Sequence, residues 1–91
     1  MGGGGSGLRT EDSRRSRYDI IFKILSIAQE GVRKTSIVYR ANLNFNRVNR
    51  YLDLLIQDGM ITTGSAKYNT TEKGLGFLKA YKNLKNLAKN L

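Results

Sequence analysis

Residues Thr35–Gly59, TSIVYRANLNFNRVNRYLDLLIQDG, hold the pattern that decides the fold. Two helical runs lie on either side of Asn42-Leu43, a link with room only for a tight turn. In Thr35–Ala41, Ile37, Val38 and Ala41 fall on the inward face and Ser36, Tyr39 and Arg40 on the outward one. From about Phe45 to Asp58, the residues Phe45, Val48, Leu52, Leu55 and Ile56 recur at helical spacing and are expected to face a core. Asn42 tolerates the left-handed conformation that a tight turn needs, and Asn44 is a good N-cap for the second run. Gly59 ends it.

Upstream, Ser16 to Asp19 match a capping box, with Ser16 as N-cap and Asp19 reaching back. The helix that follows is expected to run to about Gln29 and stop at Gly31. Its polar residues Asp19, Lys23, Ser26 and Glu30 form one stripe, and nearly all the rest is apolar. A helix apolar around most of its circumference belongs at the centre of a domain. Downstream, Met60–Thr63 and Lys67–Thr70 are short β-prone runs around a Gly64-Ser65-Ala66 tip, a hairpin signal. Thr71 caps a last helix, Glu72 to Leu91, which Gly74 and Gly76 weaken near its start. At ~1.5 Å per residue that helix is about 30 Å long, more than a small globule covers.

The order helix, helix, helix, hairpin, helix predicts a mainly α fold with a small β-hairpin. This is a winged helix-turn-helix with a long C-terminal helix. Residues 1–15 read as a flexible Gly-rich leader and polar arm, 16–71 as the winged helix-turn-helix domain and 72–91 as a C-terminal dimerisation helix.

The chain has 91 residues, 16 Lys+Arg against 7 Asp+Glu, and no Cys, His, Pro or Trp. Disulfides, thiolate nucleophiles and the usual zinc-ligand sets are thereby excluded. The acids are scattered over separate elements and no glycine-rich phosphate loop follows a strand, so no catalytic residue, metal or cofactor is expected. No small-molecule ligand is evident. No stretch approaches the roughly 20 apolar residues of a membrane span, and a soluble, cytoplasmic (nucleoid) protein is expected. The first fifteen residues contribute a net +1 of the overall +9, so the folded body carries +8. Such basicity in a small domain points to a polyanion, double-stranded DNA above all. RNA is less favoured, because no surface array of aromatics offers base stacking.

Three segments carry a family resemblance: Gly31–Leu43, Tyr51–Leu55 and Tyr68–Gly74. Together they resemble the archaeal winged-helix DNA-binding proteins, in particular the small basic chromosomal and regulator-like proteins of Sulfolobus and its relatives. The resemblance covers roughly Arg17 to Leu91. It implies a winged helix followed by a C-terminal helix that pairs with its twin in an antiparallel coiled coil, and double-stranded DNA binding without catalysis. The C-terminal helix is short for that coiled coil.

In a helix-turn-helix the second helix enters the major groove, its N-terminal residues nearest the base edges. Asn44, Asn46, Arg47, Asn49 and Arg50 are the candidates here. Arg bridges O6 and N7 of guanine and Asn bridges N6 and N7 of adenine, and each serves equally as a phosphate ligand. Asp53 is placed to orient Arg47 or Arg50. Around the preceding helix, Arg33, Lys34, Thr35, Ser36, Tyr39 and Arg40 are candidate phosphate ligands. Tyr39 fits a core position with its hydroxyl at the rim equally well. At the wing, Ser65 and Lys67 are placed on the backbone rather than in the minor groove. A short basic arm of Arg14, Arg15 and Arg17 is a further phosphate grip, or a solvated tail.

In the last helix Phe77, Tyr81, Leu84, Ala88 and Leu91 alternate steps of four and three, a coiled-coil seam of two heptads. It is expected to join two copies of the chain, the competing arrangement being a helix folded back on its own core. Two functions remain open at this level. One is a homodimeric DNA-binding protein, either transcription regulator or nucleoid-associated protein. The other is a winged-helix docking module without DNA readout.

Overall fold

A computed structural model describes residues Arg17–Lys89. Helix α1 (Arg17–Ile27) tightens into a 3-10 turn, Ala28–Glu30, and stops at Gly31. Then come α2 (Lys34–Ala41), α3 (Phe45–Gln57), the strands β1 (Ile61–Gly64) and β2 (Lys67–Thr70), and α4 (Glu72–Lys89). The expected order and the winged helix-turn-helix fold are both present. The Ser16 cap lies outside the described residues.

Among the twelve buried apolar residues, five come from α1 and its turn: Ile21, Ile24, Leu25, Ile27 and Ala28. That helix is the hub, as its nearly continuous apolar surface requires. Ile37 and Ala41 reach it from α2, Val48, Leu52 and Leu55 from α3, Ile61 from β1 and Leu78 from α4.

The link from α2 to α3 is two capping motifs end to end. Asn42 takes the left-handed conformation (φ 59°, ψ 48°), and the amides of Asn42 and Leu43 donate to the carbonyls of Tyr39 and Val38. This is a Schellman closure with Asn in the position usually held by Gly. Asn44 then accepts the Arg47 amide at 2.8 Å on its side-chain oxygen, satisfying one of the free donors of α3. Gly59 (φ 78°) closes α3 with the same motif, Met60 donating to Leu55 and Gly59 to Ile56.

The wing is a two-stranded antiparallel sheet in the register Ile61↔Thr70 to Gly64↔Lys67. Its tip is two residues, Ser65 and Ala66, both at positive φ, and not the three expected, because Gly64 pairs with Lys67. Both φ values positive is the twist that two-residue hairpins require. A β-bridge from Val32 to Tyr68 fastens the wing to the entry of α2. The Thr70 hydroxyl donates to the Leu25 carbonyl at 2.7 Å, fastening it to α1.

Thr71 sets the start of α4. Its hydroxyl accepts the Gly74 amide at 3.2 Å and donates to the Gly59 carbonyl at 2.6 Å. Lys73 donates to the Asp58 carbonyl at 2.8 Å, where cations suit the end of α3. The first half of α4 then packs on α1: Gly74 and Leu78 are buried, and Tyr81 stacks on Phe22 at 4.7 Å.

Two expected core residues of α3 stand outside it. Phe45 is 49 % exposed and Ile56 36 %. Phe45 opens the helix where it projects beyond the globule, and Ile56 is rotated one residue off the Val48, Leu52, Leu55 line. Periodicity assigns a face but not how far the neighbouring elements extend along it.

Candidate nucleic-acid interface

Helix α3 carries three sides. Val48, Leu52 and Leu55 are buried. Asn46, Arg50 and Asp53 point directly outward and are exposed. Arg47, Tyr51 and Leu54, at i, i+4 and i+7, form a flank turned toward the start of α1. Asn44 is exposed with its side chain committed to the cap, and Asn49 is half-buried. Among the described residues Asp53 makes no ion pair with Arg47 or Arg50, so the expected orienting contact is not formed.

The flank has a boundary that sequence does not disclose. Arg17, Arg47, Arg50, Tyr51 and Leu54 line one cavity between α1 and α3. Arg47 also borders a second groove, with Asp19, Ile20, Lys23 and the turn residues Ala41 to Leu43. Arg17, expected in the capping box and named with Arg14 and Arg15 as a possible phosphate grip, is in the first turn of α1. Arg14 and Arg15 lie outside the described residues.

Helix α2 divides its candidates between two places. Its amino end lies against the wing: the Lys34 ammonium sits 6.0 Å from the centroid of the Tyr68 ring, and Val32 pairs with Tyr68. Arg33 and Thr35 are exposed there and Ser36 half-buried. Arg33 precedes the helix in an extended conformation without a side-chain cap, which leaves the first amides of α2 facing outward. Arg40 lies elsewhere, in a groove with Lys23, Ser26, Tyr81 and Lys85 on the α1–α4 side. Tyr39 is 88 % exposed, which settles its two alternatives against the core. Ser65 and Lys67 are exposed at the wing tip.

The five seam residues of α4 also separate. Phe77 and Tyr81 are half-buried and stack on each other at 5.9 Å, with Tyr81 covering Phe22 of the same chain. Leu84 and Ala88 are exposed, and Leu91 lies outside the described residues. Leu84 and Leu87 keep 64 % and 65 % of their surface in water. With Tyr18, Phe77, Ala80 and Ala88, Leu84 borders an apolar groove between α1 and α4, at whose edge Lys85 pairs with Asp19 at 3.9 Å.

Sequence reasoning missed two residues of this surface. Lys23 belongs to it through α1, beside Arg17, and Phe45 adds an apolar side chain at the first turn of α3. Only the polar stripe on α1 carried a signal, and it named Lys23 without saying what it faces.

Comparison with known proteins agrees with this architecture. A solved structure of Sso10a-2, a DNA-binding protein from Sulfolobus solfataricus, superimposes with a TM-score of 0.72 at 28 % identity, covering 84 % of each chain. The uncharacterized protein MJ0287 of Methanocaldococcus jannaschii is 40 % identical over 67 residues, 72 % of this chain and 69 % of that protein. The family model described as winged helix-turn-helix matches residues 14–89, and the chain belongs to that family.

Proposed function

We propose that the protein binds double-stranded DNA without catalysis, as a homodimeric transcription regulator or nucleoid-associated protein of the cytoplasm. One observation carries the reading: α3 presents exposed Asn46, Arg47 and Arg50 in its first two turns, beside a wing and an uncapped α2 entry that are also basic. Such an array matches a polyanion, and the chain's net charge of +9 extends it. A docking module would favour a neutral or apolar α3 face. The DNA binding of the Sulfolobus structural relative supports the same reading.

In this arrangement α3 lies in the major groove, with Asn46 and Arg50 toward base edges and Phe45 offering apolar surface to a thymine methyl. Arg33, Lys34, Thr35 and Ser36, together with Ser65 and Lys67 of the wing, take backbone phosphates on one side. The exposed Leu84, Leu87 and Ala88 of α4 meet the same surface of a second chain. An unpaired apolar stripe of that kind on a small domain marks a protein contact.

Titration of labelled duplex at several ionic strengths tests the reading. With about 4 phosphates neutralised per protomer, a dimer covers about 8, and log K falls with log[salt] at a slope near −7. Binding that ignores salt, or no binding, refutes it. Selection from random duplex then separates the two roles: a sharp palindromic motif marks a regulator, and no enrichment marks a coating protein. Among the described residues no helix is long and apolar enough to cross a membrane.

A further inference from the structure

We infer that the cavity between α1 and α3 is a clamp for a single backbone phosphate, held by Arg17, Arg47 and Tyr51. The inference rests on the DNA-binding reading and assigns a ligand to a site which that reading leaves empty of purpose. Three guanidinium-bearing side chains and a phenol line a space of about 390 Å³, and among the described residues no carboxylate is in its walls. The adjoining groove differs: there Asp19 lies among the lining residues with Lys23 and Arg47. Like charges gathered without a counter-charge repel one another, and an anion in their midst reverses the sign of that interaction.

The chemistry of the walls narrows the anion. Arginine forks match the paired oxygens of a phosphate, and the tyrosine hydroxyl adds one neutral donor. Leu54, 42 % exposed, supplies an apolar wall against which a deoxyribose packs. The position narrows it further. The cavity lies along the flank of α3 and not on its outward face, and the strands of a duplex run along the flanks of a helix seated in the major groove. Arg47 is then a residue that fixes register, while Asn46 and Arg50 remain toward the bases. Arg17 then couples α1, the hub of the core, directly to the DNA backbone.

The test uses the full chain and its Arg17→Ala, Arg17→Lys and Tyr51→Phe variants, titrated onto two duplexes of unrelated sequence across a salt series. Arg17→Ala is expected to lose about tenfold in affinity on both duplexes alike, the scale of one charge-assisted hydrogen-bonded contact. Its salt slope falls in magnitude by about 0.9 for each clamp lost. Arg17→Lys keeps the slope and recovers part of the affinity, whereas Tyr51→Phe weakens binding with the slope unchanged. Inorganic phosphate at matched ionic strength is expected to displace duplex no better than chloride; stronger displacement would mean a free-phosphate site and overturn the assignment. Wild-type binding with an unaltered slope in Arg17→Ala overturns the clamp alone. A wild type that binds no duplex overturns the DNA reading and the clamp with it.

Discussion

Gly74 and Gly76 stand two residues apart in the same helix, and replacing each by alanine is expected to move stability in opposite directions. A Cβ at Gly76 meets nothing within 4 Å. The Gly76→Ala chain therefore gains the helix-propensity difference alone, up to about 1 kcal/mol. A Cβ at Gly74 falls 2.5 Å from the Met60 carbonyl oxygen and 2.6 Å from the Thr70 methyl carbon. Both contacts are roughly an ångström inside comfortable separation. Neither neighbour is free to retreat. The Met60 carbonyl accepts the Thr71 amide at 2.9 Å, and Thr70 is held by its hydroxyl on the Leu25 carbonyl at 2.7 Å.

Relief at Gly74 then requires a shift of α4 or the loss of one of those hydrogen bonds. Overpacking of that kind costs about 1–3 kcal/mol, enough to outweigh the propensity gain. The propensity gain is common to both, so the two variants should differ by the overpacking cost, roughly 1–3 kcal/mol, and each kcal/mol is about 4–8 °C in a domain of this size. Thermal unfolding followed by circular dichroism measures this, at one fixed chain concentration because self-association would add to the apparent stability. If Gly74→Ala proves as stable as Gly76→Ala, α4 does not approach the wing as closely as described. The consequence reaches the proposed dimer, since this contact sets the direction in which α4 leaves the winged helix-turn-helix.

Three further outcomes are expected. Asn44→Ala removes the cap of α3 and should cost about 1 kcal/mol in urea denaturation, with Asn44→Asp nearly neutral. Phe45→Ala should cost well under the 3–5 kcal/mol typical of a buried Phe, yet lower the preference for thymine over deoxyuridine at one position of a selected duplex. Leu84→Glu with Leu87→Glu should leave the fold intact by circular dichroism and convert the proposed dimer to monomer by light scattering at micromolar concentration. A wild type that is already monomeric there refutes the pairing through α4.

What the sequence made legible was whatever depends on a few consecutive residues. Asn42 and Asn44 announced the turn because a left-handed residue and a side-chain cap are local requirements, met by residue type. The central place of α1 was legible for a similar reason: no other helix lacks a wide polar face. The errors share a different cause. Gly74 looks like a defect in a helix until the carbonyl of Met60, fourteen residues earlier, is found against it. Phe45 looks like core because its spacing to Val48 is right, although among the described residues nothing covers it fully. Phe77 and Tyr81 read as a seam with a second chain, and the sequence does not disclose that Tyr81 also stacks on Phe22 of its own chain.

The same distinction governs the charges. Composition counts Arg17, Arg47 and Arg50 as three equal contributions to a basic surface, but their positions make them unequal. On α3 alone, Arg47 and Arg50 are neighbours on one helical surface, and both are equally plausible readers of guanine. The fold separates them: both border the cavity that Arg17 lines, and Arg47 also borders the groove formed by α1 and the α2–α3 turn. Under the clamp reading, a guanidinium bordering both α1 and α3 defines where the helix sits, and one on the outward face meets whatever base lies opposite. If that division holds, changing Arg50 should alter which sequence is preferred, and changing Arg47 should weaken every sequence by the same factor.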